Sequence, residues 1–286
     1  AGVREVRGAF KVFEGALPFI KTIDTDQPDH VGYSPAVSGI SLNYNRVHFE
    51  WRRNSGKYSI SMDARSDKYR PDVTMAQMRI ADRSLPVYAY ADQKGRDAWS
   101  VSRGALGNAG SRWLPVRKPA AYAGDVFRSM AASQGIRLKT AEVVRRAPQG
   151  AVLVTQRSEP LREILRDMLR FSTNLTAEMV GMAATSKRKG VPSGLRASAS
   201  EMNAWAKSSL GVSGMNLRDH SGLGAANRMS ADAMVDTLVK VFASDSLRTI
   251  LKPVAMRDSK GRVLKNHPIA VNAKTHRYGV CNAMES

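Results

Sequence analysis

The hydrophobic period of this sequence changes near residue 113. Upstream, apolar side chains alternate with polar ones: Ile40, Leu42 and Tyr44, then Val47, Phe49 and Trp51, then Tyr58, Ile60 and Met62. A period of two belongs to half-buried strands. Asn54-Ser55-Gly56 separates the last two runs, so a hairpin is expected there. Leu85–Tyr90 and Ala98–Val101 are two further short strand candidates. Past Trp113-Leu114-Pro115-Val116-Arg117-Lys118-Pro119 the spacing becomes three and four, the mark of amphipathic helices. A chain with both periods in series is neither one helical bundle nor one β-sandwich. It is expected to be a mixed α/β (α+β) protein, with a β-rich domain over residues 1–112 and a helix-dominated domain over 113–286.

In the second part, Asp125–Gln134 places Val126, Phe127 and Met130 on one side of a helix, and Ala151–Thr155 reads as a buried strand. Ser158 is a candidate N-cap with Glu159 and Pro160 in the first turn. Leu161, Ile164, Leu165, Met168 and Leu169 then follow at i, i+3, i+4, i+7 and i+8, the clearest helix in the chain. Further helices are predicted over Leu175–Ala184, from the capping-box pattern Ser198-Ala199-Ser200-Glu201, and from Ser230 onward.

Charge narrows the choice of partner. Lys and Arg number 44 against 25 Asp and Glu, a net charge of +19, and residues 101–200 alone carry 17 basic and 6 acidic side chains. Such a surface suits an anionic polymer, whether nucleic acid, anionic lipid or cell wall, although a solvated basic surface has the same composition. With 43% hydrophobic residues the chain can bury a core. No apolar stretch approaches the length that spans a bilayer, so no transmembrane segment is expected. One cysteine, Cys281, excludes an internal disulfide and a Cys-based zinc cluster. His30, His48, His220, His267 and His276 never pair at helical spacing, so no metal is expected, and Gly222-Leu223-Gly224 lacks the third glycine of a dinucleotide loop, so no cofactor is expected.

Two small polar residues, Ser172 and Asn174, fall in the turn between two amphipathic helices. Helix capping alone accounts for such residues. A hundred residues later comes a strand-like run ending in Lys274-Thr275, with Asp219-His220-Ser221-Gly222-Leu223 and Asn227-Arg228 between. This series resembles the low-molecular-mass penicillin-binding proteins, the serine D-alanyl-D-alanine carboxypeptidase/endopeptidases that trim peptidoglycan, whose S-x-x-K, S-x-N and K-T-G motifs line one cleft. The resemblance implies a penicillin-recognising α/β domain with an inserted β-rich region. It also implies that Ser172 and Asn174 are the S-x-N pair, that Lys274 and Thr275 open K-T-G, and that the partners are peptidoglycan peptide stems and, if the enzyme is complete, β-lactams. The family works in the periplasm or outside the cytoplasm, and the resemblance implies no specific nucleic acid.

Acyl transfer needs a serine nucleophile, a base, oxyanion donors and a cation for the substrate's terminal carboxylate. Lys274 and Thr275 on a strand edge are suited to the last task. No credible nucleophile is found: the one literal S-x-x-K, Ser186-Lys187-Arg188-Lys189, follows S-x-N and reads as a basic helix end. The missing motif is expected upstream of residue 1, which makes the chain an N-terminally truncated piece and inactive as given. His276 stands where the family has the glycine of K-T-G, an aberrant C-terminus. The other class of function consistent with the residues is a non-catalytic basic module that binds anionic glycan or nucleic acid.

Overall fold

A computed structural model of the chain describes residues 2–242, 246–253, 257–264 and 274–275. By internal packing the chain divides into two compact units, Ala1–Gly150 with Glu178–Leu195, and Ala151–Ala177 with Arg196–Ser286. The first unit contains β1 (Phe10–Phe13), β2 (Arg46–Asn54), β3 (Lys57–Asp63), β4 (Ala76–Ala81), β5 (Tyr88–Gln93), β6 (Arg96–Ser102), β7 (Ala109–Pro115), α1 (Pro119–Ser133) and β8 (Ala141–Val144).

The predicted hairpin is β2–β3, with Asn54 opposite Lys57 across Ser55 and Gly56. Both turn residues are left-handed, φ 48° and 79°, as the right-handed twist of two antiparallel strands requires of a two-residue connection. β7 pairs with the other edge of β2, giving the order β3-β2-β7. A second sheet has the order β4-β6-β5, with β4 parallel and β5 antiparallel to β6. Alternation sends Val47 and Phe49 of β2, Leu114 of β7, and Trp99 and Val101 of β6 into one core, which Tyr122 and Val126 of α1 join.

Two buried charged groups tie this unit together. Asp125 on α1 accepts hydrogen bonds from the Thr74 backbone N–H (2.5 Å), the Met75 N–H (3.0 Å) and the Thr74 hydroxyl (2.9 Å), and pairs with Arg128 at 2.9 Å. Arg117, just after β7, donates to the carbonyls of Lys21 (3.1 Å), Ser34 (2.8 Å) and Asp29 (2.7 Å), which fastens the long connection between β1 and β2. β1 and β8 form a separate parallel pair beside α1. Gly124 sits where a Cβ would come within 2.4 Å of the Ala141 Cβ, so helix and strand touch there only because the side chain is absent.

The chain continues with α2 (Leu161–Phe171), α3 (Asn174–Lys189), α4 (Leu195–Leu210), β9 (Met215–Asn216), β10 (Arg228–Met229), α5 (Ala231–Phe242), α6 (Ser246–Ile250), β11 (Lys252–Pro253) and β12 (Lys274–Thr275). The second unit pairs β9 with β10 and β11 with β12, both antiparallel. Asn203 of α4 exchanges hydrogen bonds with the Leu217 backbone at 3.1 and 2.9 Å, and Ser230 caps α5 by accepting from the Ala233 N–H at 3.1 Å. Among the described residues no helix is long and apolar enough to cross a membrane.

Four local expectations are corrected. Ile40, Leu42 and Tyr44 alternate but form no strand, because Asn43, Tyr44 and Asn45 all adopt left-handed backbone, φ 53°, 55° and 50°. Ala151–Thr155 is not a buried strand: Val152, Leu153 and Val154 are 79%, 93% and 83% exposed and pair with nothing among the described residues. Ser198 and Glu201 cap nothing, since α4 begins three residues earlier at Leu195 and both lie in its interior. Ser158 is not the cap of α2 either; Pro160 occupies that position and makes no side-chain bond.

Candidate active site

Ser172 lies in the turn between two helices where the spacing of apolar residues placed it, and Asn174, expected in the same turn, is instead the first residue of the second helix. α2 ends at Phe171, Ser172 is its C-cap, and α3 begins at Asn174. The Ser172 backbone is left-handed, φ 54° and ψ 50°, and its N–H and that of Thr173 both donate to the Met168 carbonyl. Glycine is the residue helices ordinarily use at such a position, because a Cβ crowds the left-handed conformation. A serine held there projects its hydroxyl from a fixed backbone at a helix junction. Ser172→Gly is therefore expected to raise the thermal midpoint, gaining about 0.5–1 kcal/mol, while deleting the hydroxyl. A thermal melt beside a ligand titration reads both effects.

Lys274 and Thr275 form β12, with Lys274 opposite Pro253 and Thr275 opposite Lys252. β11 in turn lies against α2, the helix that Ser172 caps. The backbone thus links the junction of Ser172 and Asn174 to the Lys274-Thr275 edge through a single intervening strand. His276 lies outside the described residues.

Ser186 is in the last turns of α3, where its hydroxyl donates to the Met182 carbonyl at 2.9 Å and exposed Lys187, Arg188 and Lys189 follow. A hydroxyl bonded to the carbonyl four residues back is a common helical arrangement. The cluster of positive charge at a helix C-terminus is favourable to the helix dipole.

The Asp219–Ser230 block turns out to be a scaffold. Asp219, 6% exposed, takes the Gly222 N–H at 2.6 Å on Oδ1, and the Gly224 N–H and the Asn227 Nδ2, both at 2.8 Å, on Oδ2. Asn227 returns its own oxygen to the Arg218 N–H at 2.7 Å. Gly222 is left-handed at φ 77°, and a Cβ on Gly224 would come within 2.7 Å of the Asp219 carboxylate. The spacing of Asp, Gly, Gly and Asn is therefore what one carboxylate needs to gather a loop around itself.

Sequence reasoning missed the pairing of His220 Nε2 with Ser198 Oγ at 2.7 Å. Ser198 is fully buried inside α4, and the pair joins helix to loop; burial lowers the pKa of His220 against the opposing charge of Asp219. The residues are 22 apart, and no local pattern announces such a contact. Among the described residues no group of His, Cys, Asp and Glu could hold a metal ion.

The family model for D-Ala-D-Ala carboxypeptidase 3 (S13) matches residues 1–269. The chain belongs to that peptidase family. Its fold is similar to that of penicillin-binding protein 4 (dacB) from Haemophilus influenzae, with a TM-score of 0.67 and 16% identity over 95% of this chain and 62% of the other. The same Haemophilus protein complexed with a β-lactam gives a TM-score of 0.60 and 16% identity over 82% and 56%. The chain therefore spans about 62% of the length of that relative. No curated protein sequence matches it significantly.

Proposed function

We propose that this chain is part of a serine-type D-Ala-D-Ala carboxypeptidase/endopeptidase that acts on peptidoglycan peptide stems through an acyl-enzyme, outside the cytoplasm. On this reading Ser172 relays a proton toward the leaving group, Asn174 contacts the substrate amide, and Lys274 with Thr275 holds the terminal carboxylate while the strand edge pairs with the peptide. The observation that carries the reading is the left-handed Ser172 at a helix junction whose helix lies against the strand that pairs with Lys274-Thr275. The same reading assigns residues 1–112 to the inserted β-rich region and 113–286 to the transpeptidase-like part. Limited proteolysis tests that division, and a stable fragment ending near residue 150 would move it.

Within these 286 residues no S-x-x-K precedes Ser172, so the chain as given is inactive. A catalytic unit without its nucleophile orients substrate but has nothing to acylate. Incubation with a fluorescent penicillin and denaturing electrophoresis is expected to show no labelled band. A band lost on Ser186→Ala or Ser172→Ala would put the nucleophile there instead. Non-covalent recognition is testable separately: calorimetric titration with a diacyl-Lys-D-Ala-D-Ala peptide should show binding that falls at least tenfold in Lys274→Ala. Undiminished binding in that variant overturns the assignment of Lys274, and retention on DNA but not on purified sacculi at equal ionic strength overturns the peptidoglycan reading.

A further inference from the structure

Asn43, Tyr44 and Asn45 are three successive non-glycine residues in a conformation that L side chains avoid. The surrounding structure holds them in it. Asn45, fully buried, accepts from the Leu42 N–H at 3.2 Å and donates to the Ala36 carbonyl at 2.9 Å, while its own carbonyl receives the Val116 N–H at 2.8 Å. Asn43 donates to the Arg65 carbonyl at 3.0 Å. Strain that is locked in this way is a pointer to function. Its result here is to stand Tyr44 on the surface, 46% exposed, beside Arg46.

The Arg46 guanidinium lies 5.3 Å from the Tyr44 ring centre and 5.4 Å from that of Trp113. Its Nε is buried without a partner, and among the described residues its side chain makes neither an ion pair nor a hydrogen bond. Other half-buried or buried arginines of the unit have partners for their guanidinium: Arg65 has Asp63 and Glu50, Arg128 has Asp125, and Arg117, whose Nε is likewise unpartnered, gives its terminal nitrogens to three carbonyls. His48 packs edge-on to Trp113 with ring centres 4.9 Å apart, 6% exposed, and its Nδ1 is also buried without a partner. A partly desolvated cation without an anion is a cost to the fold that a bound anion removes.

We propose that Tyr44, Arg46 and Trp113 form a subsite for a sugar that carries a carboxylate. The planar guanidinium fork takes a carboxylate through two parallel hydrogen bonds, and the exposed Tyr44 ring offers a flat face to the C–H surface of a pyranose. One guanidinium, beside a histidine whose pKa is lowered by burial and by Arg65, matches one negative charge better than two. The subsite rests on the peptidoglycan reading only for its choice of probe, and it involves no covalent step.

The test titrates N-acetylmuramic acid, N-acetylglucosamine and inorganic phosphate into the 286-residue chain, read by calorimetry and tryptophan emission. N-acetylmuramic acid is expected to bind at least tenfold more tightly than N-acetylglucosamine, which lacks the carboxylate, and Arg46→Gln should abolish that difference while Arg46→Lys recovers part of it. Tyr44→Asn tests the ring independently of the charge. Asparagine tolerates left-handed backbone, so this variant should keep or raise the thermal midpoint yet weaken both sugars at least fivefold. Equal affinity for the two sugars, unchanged muramic acid binding in folded Arg46→Gln or Tyr44→Asn, or tighter binding of phosphate than of muramic acid would each overturn the proposal. Lys274→Ala should leave muramic acid binding intact, and Arg46→Gln should leave D-Ala-D-Ala peptide binding intact, so the two readings fail separately.

Discussion

Asp125→Ala is expected to lower the stability of the first unit by about 2–4 kcal/mol, because two backbone donors lose a buried acceptor while Arg128, 35% exposed, keeps access to solvent. The substitution strands the Thr74 and Met75 N–H groups and leaves the Arg128 charge without its carboxylate. For a unit of this size the midpoint should fall by roughly 10 °C, which differential scanning calorimetry reads directly. Asp125→Asn should cost less. Its carbonyl oxygen still serves the two backbone donors; the Arg128 contact is lost, and the Thr74 hydroxyl must turn to accept from the amide nitrogen instead of donating. Burial alone raises the Asp125 pKa, but the hydrogen bonds from Arg128, Thr74 and Met75 outweigh it and hold the carboxyl below its usual range. A depressed carboxyl contributes stability above its unfolded pKa, about 3.9, and loses that contribution as pH falls through the lower native value. The Asp125 contribution should therefore be unchanged from pH 5 to 8 and disappear only below about pH 4, and a wild-type minus Asp125→Ala stability difference that shrinks at pH 6 would contradict it.

Asp219→Ala should be the most damaging single change in the second unit, at about 3 kcal/mol or more, because both carboxylate oxygens are occupied by loop donors. Here asparagine offers no rescue. An amide must aim its nitrogen at either the Gly222 N–H or the Gly224 N–H, so one donor loses its acceptor and meets a second donor. Hydrogen exchange of the Gly222 and Gly224 amides is the sensitive measurement: both should lose protection in Asp219→Ala and one of the two in Asp219→Asn, while that of the Ala233 amide under the Ser230 cap should persist. Retained protection of both in Asp219→Asn would show that the loop is held by its glycines and Asn227 without the carboxylate.

Much of the architecture was legible because it is written in local periodicity. The β2–β3 hairpin follows from two alternating runs around Ser55-Gly56, and α2 follows from its i, i+3, i+4 series. Where alternation failed, at Ile40 to Tyr44, the cause is a buried side chain: Asn45 binds Ala36 and Leu42 and turns the chain left-handed. The apolar run Ala151–Thr155 failed for the opposite reason: hydrophobicity makes a strand only where another strand pairs with it, and among the described residues none does.

Residue order alone thus determined the mixed class, the point near Pro119 where helices begin, and the placement of Ser172 and Asn174 at a helix junction, because each depends on neighbours within a few positions. Packing decided that α1 joins the strand core through Tyr122 and Val126, so that the first compact unit runs on to Gly150. It also decided that the Asp219 loop is a scaffold, that β11 stands between the Ser172 helix and Lys274-Thr275, and that Arg46 lies unpaired between two rings. These are contacts between residues far apart in the chain, and no local pattern encodes them: which distant groups meet is set by the closing of the core, after which buried donors, acceptors and charges must find whatever partners that closure leaves them.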